Sequence, residues 1–446
     1  MTVLATPMQQ TPATPAPPPK ARITRPFPDF QFLPPPSQYS GPVFHLSQDY
    51  PATLPASRPA FMKTDFKADW KRYMTEVRDY CLEGNAETDW RVEQNKTRGW
   101  YHMPFQHWGP LAREGIHGLT KEAPVQAHQL AETQSYGAGQ AYAVAIYNDI
   151  AGYTIGQVWN RDDPAGSFTG TRFTDGATVC KALFVDLGSD SLTSQVPSLS
   201  NPLLWEGYVT KTFADSQRSR RNIALLQLDI MISDARSPTG WVMGTFQYNG
   251  DLNNTNKWLN LVPLGLMWGN DEGVTADDYT NPTPKKTRIN PALKDTVINA
   301  AAELPTTHLG WNGRLNGPLD NPRSSCISCH MTAEYPRVRN ISPLFEPSVS
   351  ERYTDLKQVG DATWMQWFQT PKPGAVFDPA NPADPTRPPR STDFVLQLSA
   401  SLQALEDWQY QDGNFASDWA SPTPGSRPPI KHQAPPVLRN ALPPKP

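Results

Sequence analysis

The chain has 446 residues, 38% hydrophobic and 19% charged, and its 43 acidic against 40 basic side chains leave a net charge of -3. That balance argues against a nucleic-acid footprint or a polybasic membrane tether, and no apolar run reaches the roughly eighteen residues that mark a membrane-spanning helix. The 14 Trp, 15 Tyr and 17 Phe exclude wholesale disorder, because they offer large surfaces to bury.

Prolines define the two ends. Of 48 in all, 15 fall in residues 1–60 and 16 in residues 371–446, so the stretch between them is compositionally ordinary. Residues 1–60 are read as a Pro-rich extended N-terminal arm, polyproline-like around Pro12 to Pro19. Its Phe27, Phe30, Phe32, Tyr39 and Phe44 would anchor it to a folded body. The start carries neither the basic region nor the apolar run of a secretory leader.

Residues 61–305 are predicted to form a β-rich body with an N-terminal helix. Trp70, Tyr73, Met74, Val77 and Cys81 recur at helical spacing within 67–83, with Gly84 placed to cap the end. A loop rich in aromatics and histidine follows at 100–108, and His102, His107 and His117 lie in that neighbourhood. From about 140 to 270 the apolar period becomes two. Tyr142, Val144 and Ile146 alternate with alanines, and Leu226, Leu228, Ile230 and Ile232 alternate with Gln227, Asp229, Met231 and Ser233. Thr178–Leu187 and Val242–Tyr248 add further runs, with turn chemistry at Asp175-Gly176 and Pro238-Thr239-Gly240. Short strands joined by turns predict an antiparallel sheet or sandwich. Arg218, Arg220 and Arg221 read as an exposed turn. Two tripeptides, Asn95-Lys96-Thr97 and Asn253-Asn254-Thr255, fit the glycosylation pattern, which has meaning only in a eukaryotic secretory context.

The chemistry lies in residues 306–446. Cys326-Ile327-Ser328-Cys329-His330 is a C-x-x-C-H pentapeptide, the attachment signature of c-type haem. Two thiols three positions apart can meet the two vinyl groups on one porphyrin edge, and the adjoining histidine can become the proximal ligand. Chance produces such a string about 0.0005 times in a chain with this many cysteines and histidines. Zinc held by Cys326, Cys329, His308 and His330 is a rival reading, but no second paired motif exists. A redox-active or structural disulfide within the motif leaves His330 unexplained. Cys81 and Cys180 read as buried free thiols, or as a disulfide in an oxidising compartment.

For the sixth haem ligand, Met365 is the best placed along the chain, ahead of His308 and the His102/His107 pair; Met331 adjoins the proximal histidine and would not reach the opposite face. Arg314 and Arg323 are candidates for propionate contacts, with Arg337 and Arg339 also flanking the motif. Trp364, Trp367 and Phe368 make a short apolar face. A helix over 392–408 buries Phe394, Val395, Leu398, Leu402 and Leu405, with a proline-rich connection before it. The predicted class is therefore α+β: an antiparallel β-rich body followed by a mostly helical C-terminal c-haem region.

The stretch Gly310–Ser325 leading into the pentapeptide, LVPLGLMWGND at 261–271 and YNDIAGYTIGQVW at 147–159 resemble large bacterial cytochrome c-type proteins. The resemblance covers most of the chain from about residue 60 and implies one covalent haem c at Cys326, Cys329 and His330, with single-electron transfer. Small soluble cytochromes c carry the motif near the start of a compact helical domain; here more than 300 residues precede it. That departure, with the large body and the histidine-rich stretch at 102–117, keeps a monohaem peroxidase or oxygenase open as an alternative, and a zinc-stapled binding module without redox chemistry is the third reading. Haem c is assembled outside the cytoplasm, which predicts a periplasmic or extracellular protein whose partner is a redox protein or a small electron donor or acceptor.

Overall fold

The computed structural model describes residues 31–104, 112–125, 129–131, 134, 139–161, 163–186, 194–212, 215–274, 289–300, 309–321, 323–337, 365–372 and 388–412. Its centre is a nine-stranded sheet in the order β11-β10-β9-β8-β6-β5-β2, with β4 also paired to β5 and β7 also paired to β8. These are β2 (Trp100–Tyr101), β4 (Thr120–Pro124), β5 (Gln140–Asn148), β6 (Thr178–Asp186), β7 (Leu204–Thr210), β8 (Arg218–Ser233), β9 (Trp241–Tyr248), β10 (Leu261–Met267) and β11 (Thr296–Ile298). Every pairing in it is antiparallel. The long β8 organises the sheet: one edge pairs with β6, and the other with β7 along its first half and β9 along its second. Arg218–Arg221 open this strand rather than forming a turn. Arg218 lies over the Phe32 ring and Arg221 pairs with Asp186 at 2.6 Å.

Four α-helices accompany the sheet among the described residues: α1 (Trp70–Leu82), α2 (Asp149–Trp159), α3 (Cys326–His330) and α4 (Leu396–Asp412). The Asp69 carboxylate caps the start of α1 by accepting from the Arg72 amide, and Gly84 just beyond its end takes a left-handed φ of 77°. Helix α2 interrupts the region expected to be all strand. Its signals are local: the Asn148 side chain caps it through the Ala151 amide, and Ile150, Ile155, Val158 and Trp159 are buried.

Both faces of the sheet are covered. One carries Tyr142, Val144, Ile146, Cys180, Leu228, Ile230, Val242 and Phe246, packed with Tyr73, Met74 and Val77 of α1. The other carries Tyr147, Val179, Met231 and Met243, packed with α2, with Leu315 and Ile327, and with Leu398 and Leu402 of α4. This second cluster joins residues on either side of position 305. The arm is seated on it too: Tyr50 is fully buried there, while Phe44 stands edge-on to His102 with ring centres 4.8 Å apart. The short β1 (Gln31–Phe32) runs parallel to β3 (Arg113–Glu114).

Among the described residues the expected mostly helical haem region does not appear, and the structure is mostly antiparallel β-sheet. Residues 309–321 and 323–325 belong to an irregular stretch laid over the sheet, and the motif itself closes only one short helix. The loop's Asn312 and Gly313 adopt left-handed φ values of 51° and 73°, which helices exclude. Beyond α3 comes the two-residue pairing of β12 (Glu334–Tyr335) with β13 (Arg390–Ser391). The apolar face around Trp367 becomes a single 3-10 turn, Met365–Trp367, and α4 begins at Leu396, four residues later than expected. Residues 338–364 and 373–387 lie outside the described residues.

Cys81 of α1 and Cys180 of β6 form a disulfide across 99 residues of sequence. It ties the helix to the centre of the sheet. Replacing both cysteines by Ala is expected to destabilise the protein by about 2–5 kcal/mol. Chemical denaturation of variant and wild type under non-reducing conditions checks this; equal midpoints contradict it.

Candidate functional site

The pentapeptide is held by a loop whose two legs run side by side. The Gly310 amide donates to the Arg314 carbonyl at 2.8 Å, and the Trp311 amide to the Ser324 carbonyl at 3.0 Å. Gly310 sits so close to the Ser324 carbonyl that a Cβ would collide with it. Arg314 locks the loop from inside. It is fully buried, its guanidinium lies near the Trp311 and Phe368 rings, and it donates to the carbonyls of Asn270 (2.7 Å), Asp271 (2.8 Å) and Val274 (3.0 Å). Those bonds make it a clamp on the protein's own backbone.

At the loop's end the Cys326 amide donates to the Leu315 carbonyl at 3.1 Å. Ser325 caps α3: its hydroxyl accepts from the Ser328 amide, and the Ser328 hydroxyl in turn accepts from the Ser325 amide at 2.6 Å. This reciprocal cap forms one helical turn from five residues. Ile327 and Ser328 point into the protein, whereas Cys326, Cys329 and His330 keep partial access to solvent. Spacings of three and four put these three side chains on one face.

Neither thiol is in a disulfide, and the Cys329 Sγ donates to the Ser324 hydroxyl at 2.8 Å. The His330 Nδ1 lies 2.8 Å from the Phe394 carbonyl, an acceptor only, so Nδ1 carries the hydrogen and Nε2 keeps its lone pair. That carbonyl is itself held in place. Asp393 and Phe394 take consecutive left-handed φ values of 53° and 66°, and an Asp393 carboxylate oxygen accepts from the Phe173 amide at 2.6 Å. Burial pushes the His330 pKa down to about 4, against the raising effect of its Phe394 bond. Burial likewise raises the Cys326 thiol well above its ordinary range and the Cys329 thiol to about 12. At neutral pH the imidazole is therefore neutral, the form that ligates metals, and both sulfurs are protonated.

A polar cluster missed by sequence reading adjoins this face. Across the sheet, Lys181 of β6 stands opposite Asp229 of β8, and Asp229 opposite Thr245 of β9. Lys181 pairs with Glu122 at 3.2 Å. The buried Gln227 amide nitrogen donates to both oxygens of Asp229 (2.8 and 2.9 Å) and to Asp320 of the loop (3.1 Å). Its carbonyl accepts from the Leu319 amide at 2.9 Å. Burial first, and the like charge of Asp320 second, push Asp229 up to about 8. These residues occupy the polar phase of β8, expected to face solvent in a sheet covered on one side. The second covered face encloses them.

The other predicted positions are dispersed. Arg323 is half-buried beside the motif, with its pKa lowered to about 10 by burial, so it remains charged at neutral pH. Half-buried Arg337 is affected the same way. Met365 opens the 3-10 turn whose next residue, Phe368, stacks on Trp311 at 4.8 Å. The Met331 sulfur accepts from the Asn270 amide at 3.4 Å in the core. His102 is buried with Nδ1 accepting from the Ser47 amide, and His117 contacts Asp89 at 3.0 Å while stacking on Trp205 at 4.2 Å. His107, His308 and Arg339 lie outside the described residues. Among the described residues no group of three or more His, Cys, Asp or Glu is placed to hold a metal ion, and no helix is long and apolar enough to cross a membrane.

Compared with protein-family models, curated proteins and solved structures, the chain matches none of them.

The raised pKa of Asp229 has a signed consequence for stability. Unfolded, an aspartate titrates near about 4; folded, Asp229 holds its proton to about 8. Between these values the native state binds the extra proton, so its contribution to stability, full below about pH 4, is lost as pH rises through about 8. The variant Asp229→Asn lacks that component. Its denaturation midpoint should fall less than that of wild type between about pH 5 and about 8; parallel profiles contradict the assignment.

Proposed function

We infer that the chain is a c-type cytochrome, binding one haem covalently through Cys326 and Cys329 with His330 as proximal ligand, and that it transfers single electrons between redox partners. The observation that carries this reading is the orientation of His330. Its Nδ1 is committed to the Phe394 carbonyl, which fixes the tautomer and leaves Nε2 available to iron, as is usual for metal-ligating histidines. The two thiols share its face and are unpaired, so the residues present fit the group. When bound, the haem supplies one-electron redox chemistry at its iron. Arg323 is our candidate for a propionate contact, and Met365 for the sixth position. Ser325, through the helix cap, holds the motif in register.

The Cys81–Cys180 disulfide supports a periplasmic or extracellular location, since structural disulfides persist in oxidising compartments. In such a compartment, two thiols three positions apart avoid pairing with each other most readily when each is consumed by a thioether.

The protein should be exported in a host competent for cytochrome c maturation and its spectrum taken in alkaline pyridine. A haem-c band is expected, together with haem staining that survives a denaturing gel. Cys326→Ala with Cys329→Ala should abolish the staining. Lack of the band in wild type, or stain retained by the double variant, contradicts covalent attachment at this motif.

A further inference from the structure

The mechanism above has no use for the polar cluster beneath the motif, and that cluster has the composition of a proton site. We propose that Asp229, set against Asp320 through Gln227, is a proton acceptor coupled to the haem, which in alkaline solution takes one proton from water when the iron gains one electron. This rests on the haem reading and adds to it.

The geometry places the groups together. Asp229 and Met231 are successive residues on the face of β8 that packs with Ile327 of the motif. Asp320 belongs to the loop that leads into Cys326, and Gly317 of that loop lies so tightly on the Gln227 amide that a Cβ would strike it. The Gln227 nitrogen donates to both carboxylates, so a single neutral amide stands between two acids. The Asp320 carboxylate also accepts from the Gly317 amide at 2.9 Å. Thr245, fully buried opposite Asp229, has its hydroxyl near enough to favour ionised Asp229 but makes no well-formed hydrogen bond. The cation facing the pair, Lys181, is already matched by Glu122. With Lys181 matched by Glu122, ionised Asp229 adds a negative charge beside the like charge of Asp320.

The same charges are felt at the motif. Asp320 and Asp229 raise the Cys326 thiol, and Asp320 and Lys181 act on both Cys329 and His330. Coupling between two sites is reciprocal. An electron added at iron ligated by His330 makes ionised Asp229 less favourable, and a proton on Asp229 makes the ferrous state more favourable. The step balances: a one-electron donor is oxidised, iron passes from ferric to ferrous, an O–H bond forms on Asp229, and the hydroxide left from water passes to the buffer.

The midpoint potential of the holoprotein, followed by optical redox titration from acid to alkaline pH, tests this. In wild type the potential should be level at low pH and then fall by about 59 mV per pH unit once Asp229 begins to ionise. Asp229→Asn should be level through the same range. Asp320→Asn, which removes the like charge but keeps Asp229, should start the fall at lower pH. A level wild-type profile, or an unchanged slope in Asp229→Asn, overturns the proposal and leaves haem attachment intact. A wild-type protein without covalent haem overturns both. The infrared carbonyl band of a protonated acid then separates the claims, because at neutral pH it should be present in wild type and missing from Asp229→Asn with or without haem. Its absence from wild type overturns the proton site by itself.

Discussion

A single hydrogen bond, from His330 Nδ1 to the Phe394 carbonyl, ties together the parts of the molecule on which the site depends. It joins α3 to a turn 64 residues further on, and so makes the imidazole's orientation a property of the tertiary structure. The turn is in an uncommon conformation, with two successive left-handed residues that are not glycine. Such residues cost of order 1–3 kcal/mol each and persist where the surroundings determine them. Here the surroundings are the Asp393 bond to Phe173, the Thr392 amide on the Ala333 carbonyl, and α4 packed beneath.

Covering the sheet on both faces sets the electrostatics of the site. An antiparallel sheet with one wet face would leave Lys181, Gln227 and Asp229 in water with ordinary properties. The described residues of the loop before the motif, α3 and α4 form a second layer, and the polar row is enclosed between that layer and the strands. Desolvation then sets the direction of the shift at four groups: Asp229 is held protonated, the two thiols are held neutral, and His330 is kept from charging. Buried polar groups of this kind are tolerated when they are hydrogen-bonded, and the Gln227 carboxamide supplies most of the bonds.

What could be read from the sequence divides by the range of the interaction. The α1 helix, the strand periodicity at 140–148, 178–186 and 226–248, and the five-residue motif all rest on local patterns, and each could be located. Helix α2 was hidden because its apolar residues continue directly from β5, although Asn148-Asp149 carries an N-cap signal. The irregular loop before the motif is not legible in the sequence, because apolar spacing alone does not reveal a loop stabilised from elsewhere. Arg314 illustrates this: its partners are the carbonyls of residues 270–274, forty and more positions away. The acid pair had the same cause, since Gln227 and Asp229 look like the wet phase of a strand until a second layer covers them. The disulfide likewise joins residues 99 apart.

Covalent haem at one motif is the central claim, and mass spectrometry of the peptide that contains Cys326–His330 tests it most directly. After export, denaturation and proteolysis, that peptide should carry the full mass of one haem, with neither thiol available to alkylation. The same peptide at its unmodified mass, with Cys326 and Cys329 both alkylated or joined to each other, would contradict the account.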